Sequence, residues 1–382
     1  MATKNKQAKT MVSYSDSGVD LNLGNDASRM LYNAAKETWK NRKGRLGEIV
    51  TPFDDFSGIR FVNVGKLPKD AVLCLNFDGI GTKMEIAERM NDHSTIALDL
   101  FAMVCDDAVV RGGEPALIGT VFDVRSLGGG GENHIRQMRQ IAESYMLVAK
   151  KAKVAVINGE LAELGSRVGG YGKFNYNWCE GLLWFARKKR LFTGRKVKAG
   201  DYCVGLREAG FRSNGLSLAR KVFSSAYGDD WHLKNFKGKR LGEWVLFPST
   251  IYCDCVSTMF GGFDNDPKLK VHAVSHVTGG GLPEKMRRAL KPSGLGAAID
   301  DPFEPGEAIL HCQEKGNIAD EEAYQAWNMG QGMVVVTPEP EKAIKVANQF
   351  SIEAKVIGEV TREAEITIKS RGFFARGKDL KF

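Results

Sequence analysis

The feature that most constrains this chain is an alternation kept up along its whole length. β-type runs stop at short turns built from glycine and a polar partner, and helical periodicity takes over between them. Ala71 to Phe77 stops at Asp78-Gly79, Val154 to Ile157 stops at Asn158-Gly159-Glu160, and Ser213-Asn214-Gly215 opens a helix from Leu216 to Phe223. Strands and helices mixed in this way bury their apolar faces against each other, which points to α/β-type layers. The 43 glycines reinforce the reading, because they cluster in short runs and not in a repeat. Clustered glycine means tight turns and close approach of backbone to something else.

With 382 residues the chain has room for about two domains of ordinary size. The segment Arg187 to Lys198 holds seven Lys or Arg in twelve residues and marks the candidate boundary. We therefore expect an N-terminal domain over 1–190 and a C-terminal α/β domain over 191–382. Asp26 to Asn41 carries helical spacing with Asp26 as a cap. Thr95 to Val110 reads as a largely buried helix, and His134 to Lys151 as an amphipathic one. Further strands are expected over 116–122, 181–186, 202–206, 332–336, 355–360 and 366–369.

Apolar residues make up 43% and charged residues 26%, the composition of a globular chain and not of a disordered one. No apolar run reaches the roughly 18 residues a membrane helix needs. Met1 to Met11 is polar, without an apolar signal core, and the seven cysteines are scattered with no CxxC pair. A cytoplasmic protein with reduced thiols is expected. The net charge of +8 suits anionic substrates such as phosphates. The basic run lacks interleaved aromatics, so it reads as a solvated connector and a nucleic-acid partner is not expected.

Five segments can carry chemistry. Asp78-Gly79-Ile80-Gly81-Thr82-Lys83 places a carboxylate for a hard cation beside glycines whose N–H groups face phosphate, with Lys83 to neutralise charge. It is not a Walker A loop, so an ATP site here works without a P-loop. Asp99, Asp106 and Asp107 lie on the apolar helix from Thr95, where a buried carboxylate is costly unless paired or metal-bound. Asp99 and Asp106 share a face, and Asp107 is turned about 100° from Asp106. Glu160 adds a carboxylate just past a strand. Asp78, a helix carboxylate and Glu160 together would suit Mg²⁺, with ATP completing the coordination. Ser213-Asn214-Gly215 and Thr278-Gly279-Gly280-Gly281 each open a helix, where free N–H groups favour anions. His276, two residues before the second loop, is placed for proton transfer or as a phosphate partner.

In their order these segments resemble the aminoimidazole ribonucleotide synthetase (phosphoribosylformylglycinamidine cyclo-ligase) family. The matches run through Tyr14 to Asp20, Asp78 to Lys83, Asp106-Asp107 with Gly113-Glu114-Pro115, Glu160 to Glu163, Arg212 to Gly215, Pro248 to Tyr252, His276 to Gly281 and Asn328 to Met333. The resemblance implies two α/β domains and a homodimer formed through the N-terminal mixed sheet. It implies ATP-driven closure of an imidazole ring on a small ribonucleotide. Asp78, Asp107 and Glu160 would be the metal carboxylates, His276 and Asp107 the catalytic pair, and Ser213, Asn214, Gly215, Thr278, Gly279 and Gly280 the phosphate-binding positions with Asp78, Gly79, Gly81, Thr82 and Lys83. Ser15, Arg212, Asn158 to Leu161, Asn76-Phe77 and the glycine-poor stretch Gly47 to Gly58 depart from the family pattern. They mark a divergent member. Another ATP-dependent enzyme of the superfamily, and an inactive scaffold homologue, are the alternatives.

Overall fold

The computed structural model describes residues 21–50, 60–65, 67–129 and 132–382. Tyr14 to Asp20, Ser15 and the core of the glycine-poor stretch (51–59) lie outside the described residues. The first domain contains helices α1 (Leu21–Thr38), α2 (Lys83–Met90), α3 (Ile96–Val109) and α4 (Ile135–Ala152). Its strands are β1 (Ala71–Gly79), β2 (Glu114–Val124), β3 (Ala155–Glu163) and β4 (Tyr176–Arg187). They form a mixed sheet in the order β1-β4-β2-β3, with only β2 and β3 parallel. Helix α4 makes the crossover between that parallel pair, as a parallel connection requires.

Helices α1, α3 and α4 gather on one side of this sheet. Val72 and Cys74 of β1 face that core. The alternate residues face away and stay bare: Leu73 is 59% exposed, Leu75 56%, Phe77 73% and Val121 of β2 41%. Ile49, Val62 and Phe263 cover the Leu117–Phe185 end of this face, and an apolar stretch left open beside it is normally an interface.

The second domain runs β5 (Tyr202–Arg207), α5 (Leu216–Tyr227), α6 (Cys253–Phe260), β6 (Ala273–His276), α7 (Gly281–Leu290), β7 (Gly296–Ile299), β8 (Gln331–Thr337), α8 (Pro340–Gln349), β9 (Ala354–Thr361), β10 (Ile366–Lys369) and β11 (Asp379–Lys381). One seven-stranded sheet results, in the order β6-β8-β5-β9-β7-β10-β11. Helix α3 joins the two domains. It packs on β1 and β4 of the first sheet and on α6 and β6 of the second domain. That double contact explains why its sequence is apolar nearly all round.

Two local expectations change. Helix α1 already includes Leu21 to Asn25, so Asp26 sits inside it and caps nothing. Strand β3 does not stop at Asn158. A register shift opposite Ile118 and Gly119 lets it continue through Gly159 and Glu160 to Glu163. Glu160 is therefore a mid-strand residue on the free edge of the sheet, not a residue of a turn.

Candidate active site

Three loops and one helix meet where the domains join. Strand β1 delivers Asp78 on its helix-facing side, and the Gly79 N–H donates to Asp78 Oδ1 at 2.7 Å. Gly81 follows in the left-handed region (φ 65°) and turns the chain into α2. A side chain at Gly81 would approach the Ser213 carbonyl, and one at Gly279 would lie 3.6 Å from Asn214 Oδ1. The Asp78–Thr82, Ser213–Gly215 and Thr278–Gly280 loops are thus stacked against one another. Gly215 is obligatory, because with φ 69° a Cβ would stand 2.4 Å from the Trp327 ring. The N-termini of α5 and α7 open directly from these loops, which makes the junction favourable for anions. Ser213 Oγ is buried there with no hydrogen-bond partner among the described residues. An orphaned hydroxyl at two helix N-termini fits a phosphate oxygen.

Helix α3 divides its acids. Asp99 and Asp106 are fully buried and paired. Lys83 Nζ lies 2.5 Å from Asp99 Oδ1, and Ser249 donates to the same oxygen through both N–H and Oγ. Arg212 Nη2 lies 3.0 Å from Asp106 Oδ2, and the Tyr252 N–H donates to Asp106 Oδ1. Glu208, which the sequence motifs did not single out, takes the other Arg212 nitrogen at 2.8 Å. Asp107, one residue on, turns into the cleft with half its side chain exposed.

Asp78 and Asp107 share the cleft. Burial raises the Asp78 carboxyl above its usual range, the like charge of Asp107 adds to that rise, and the Gly79 N–H opposes it. Burial also pushes Asp107 up, but the hydrogen bond and charge of His276, with Lys285 and Arg212, outweigh it and hold the carboxyl low. Lys285, on α7, is the site residue that the sequence motifs missed. It acts on both carboxylates, and burial lowers its own ammonium. Its position one turn beyond the Thr278–Gly281 loop was the available signal.

His276 is held at both ring nitrogens. Nδ1 lies 2.8 Å from Asp107 Oδ1 and Nε2 2.8 Å from Arg212 Nη2. A guanidinium can only donate, so Nε2 accepts and Nδ1 carries the proton towards Asp107. Here the imidazole orients Asp107, and its Nε2 lone pair is already engaged.

Two expectations are corrected by this geometry. Lys83 does not face the cleft: it is fully buried, bound to Asp99 and to the Phe247 carbonyl of the second domain. It anchors the domains and neutralises no phosphate. Glu160 does not join Asp78 and Asp107. Asp78 pairs with Glu180 on β4, which pairs with Thr120 on β2, which neighbours Glu160 on β3 through Val121. Three strand spacings, roughly 14 Å, separate the two edges, and no single Mg²⁺ reaches both within one chain. Among the described residues no group of three or more His, Cys, Asp or Glu is arranged to hold a metal. Two carboxylates, Asp78 and Asp107, remain. They fit an ion that takes one or two protein carboxylates and completes its shell with phosphate and water.

Arg212 is likewise engaged. It is 1% exposed, and its two terminal nitrogens are taken by Glu208, Asp106 and His276. Asn76, which departs from the family pattern, bridges Trp184 Nε1 and the Val104 carbonyl of α3. Phe77 lies on the bare sheet face, where its ring would clash with any side chain at Gly181.

Residues 60–175 match the N-terminal domain of AIR synthase related proteins, and residues 198–370 match the C-terminal domain of the same family. The chain is 30% identical over 364 residues to the phosphoribosylformylglycinamidine cyclo-ligase of Thermococcus kodakarensis, covering 95% of this chain and 99% of that protein. It is 33% identical over 360 residues to the enzyme of the same name from Methanocaldococcus jannaschii, covering 93% and 94%. Among solved structures it resembles the hydrogenase maturation protein HypE in complex with ATP, with a TM-score of 0.56, 13% identity, and 84% and 86% of the two chains covered. PurL of T. maritima complexed with FGAR gives a TM-score of 0.53 at 12% identity, covering 94% of this chain and 52% of that one. At these identities the structural likenesses speak for the fold alone.

Proposed function

This chain belongs to the AIR synthase family, and from that premise we propose that it is an ATP-dependent cyclo-ligase of purine biosynthesis. It closes the imidazole ring of formylglycinamidine ribonucleotide, giving aminoimidazole ribonucleotide, ADP and phosphate. The observation that carries the reading is the cleft between the domains, where Asp78 and Asp107 face two helix N-termini and the orphaned Ser213 hydroxyl.

ATP supplies the γ-phosphoryl group that makes the formyl oxygen a leaving group, and Mg²⁺ neutralises charge on the phosphates. The chain's own residues position and shield. Asp78 and Asp107 hold the metal. The N–H groups of Gly81 and Gly279, with those of Asn214 and Gly280, line the phosphate path, with Ser213 Oγ and the hydroxyls of Thr82 and Thr278 beside them. Lys285 is the cation at the cleft in place of Lys83. His276, fixed by Arg212, keeps Asp107 in one orientation. Electrostatic positioning of this type is the main contribution a protein makes to phosphoryl transfer.

A homodimer through the bare face of the first sheet completes the proposal. Leu73, Leu75, Phe77 and Val121 supply the apolar patch. No helix among the described residues is long and apolar enough to cross a membrane, and all seven cysteines are free thiols, which supports a cytoplasmic setting. Purified protein with formylglycinamidine ribonucleotide, ATP and Mg²⁺ is expected to yield a diazotisable amine. Nucleotide binding without product would overturn the assigned reaction, and absence of nucleotide binding would overturn the enzyme reading altogether.

A further inference from the structure

The basic run that reads as a connector in the sequence does more than connect. It forms one wall of a cavity of about 510 Å³ that lies away from the cleft. That size is within the range of small-molecule sites. Lys189, Arg190 and Lys196 of the run meet Lys268, Lys270 and Lys342 of the second domain around it, against the lone carboxylate of Glu339. Glu339 is already satisfied by Lys342 and by the Lys270 N–H. Arg190 is anchored by the Gly262 and Asn265 carbonyls. The ammonium groups of Lys189, Lys196, Lys268 and Lys270 have no carboxylate within ion-pair distance among the described residues. Cations in excess of carboxylates around one hollow repel each other and favour a multiply charged anion. The floor is apolar. Phe192 and Phe260 meet edge to face there, with ring centres 5.3 Å apart.

Two elements connect this cavity to the cleft. His272, at the mouth of β6, lines the cavity, and His276, four residues on, holds Asp107. The Phe192 N–H donates to the Arg111 carbonyl just after α3, one turn beyond Asp107. The turn at Gly112 packs so tightly that a Cβ there would stand 2.8 Å from the Arg190 carbonyl. A ligand in the cavity therefore touches His272 at the start of β6 and the run that packs on the end of α3, the two elements that hold the catalytic carboxylate.

We propose that this cavity is a second anion site, taking a nucleoside phosphate that is not consumed, and that its occupancy adjusts turnover at the cleft. The lysines take the phosphate and the Phe192–Phe260 wall takes the base.

Equilibrium dialysis of AMP at saturating ATP, against the wild type and the K196Q/K268Q/K270Q variant, tests this. Wild type is expected to bind one AMP per chain that ATP does not displace, and the variant to bind it about tenfold or more weakly. All three substitutions fall on exposed side chains, so melting temperature and turnover without AMP should be unchanged. In wild type AMP is expected to change kcat, and in the variant it should not. A second variant, F192L, should weaken AMP more than inorganic pyrophosphate. Displacement of all AMP by ATP would overturn the site. Equal binding of pyrophosphate and AMP would overturn the nucleoside assignment. Binding of single-stranded RNA, lost in the triple variant while AMP fails to bind, would overturn it in favour of a nucleic-acid surface. The binding arm needs no catalysis, so its outcome is separate from that of the ring-closure assay.

Discussion

Asp106 and Asp107 are neighbours on one helix and live in opposite surroundings. Asp106 is fully buried between Arg212 and the Tyr252 N–H, whereas half of the Asp107 side chain meets the cleft. One residue of helical rotation, about 100°, separates structural duty from chemical duty. The inner acids, Asp99 and Asp106, lock the domains together through Lys83 and Arg212. The outer ones, Asp78 and Asp107, are left underpaired in the cleft, where the proposed metal ion would sit. A third kind has no compensating charge at all. Glu180 is buried on β4 with neither carboxylate oxygen partnered, and burial raises its carboxyl far above the usual value.

The sharpest test sets the two neighbours against each other. Asp107→Asn should lower kcat by roughly 10³-fold or more with an unchanged melting temperature. A near-normal rate would remove Asp107 from the site. Asp106→Asn should do the reverse, leaving Arg212 underpaired and costing about 3–5 kcal/mol of stability in denaturant titration. Unaltered unfolding would mean that the inner pair is not structural. Smaller again is His276→Ala, expected to lower kcat about 10- to 100-fold with less effect on the KM for ATP, since it frees Asp107 without removing it. A pure KM effect would make His276 a binding residue.

Glu88 extends the comparison to pH. Burial raises its carboxyl to about 7, against the opposing hydrogen bond from the Tyr171 N–H. A raised folded-state value means that the native state holds this proton more tightly than the unfolded chain does. The resulting stability is full below about pH 4.5 and is lost as pH rises through 7. Glu88→Gln should therefore exceed wild type in stability at pH 8 by about 1–3 kcal/mol and lose that advantage near pH 5. Equal pH dependence of the two melting temperatures would rule the carboxyl out. The smallest effect is expected for Glu160→Gln, which should leave the Mg²⁺ dependence of turnover within about twofold, because Glu160 sits at the far edge of the sheet. A large loss of metal affinity would restore it to the site.

Much of this was legible in the sequence, and the rest was not, for separate physical reasons. The buried helix with three aspartates was visible because its apolar residues leave no polar face. The two anion-favouring loops were visible because Ser213-Asn214-Gly215 and Thr278 to Gly281 each precede helical periodicity. Lys83 was misjudged because its partners, Asp99 and the Phe247 carbonyl, are distant in sequence, one of them in the other domain. Glu160 was misjudged because glycine beside a carboxylate usually ends a strand, while a register shift carries β3 past it. Lys285 and the Arg212–His276 contact depend on how two domains dock, and no local pattern encodes that.

The bare face of the first sheet has a consequence for the life of the chain. On the proposed pairing, Leu73, Leu75 and Phe77 stay in water until a second copy arrives, so mass action ties the stability of each molecule to the abundance of its sisters. Newly made chains at low copy number would be the most exposed to proteases and to wrong partners. Raising expression would protect every molecule already present.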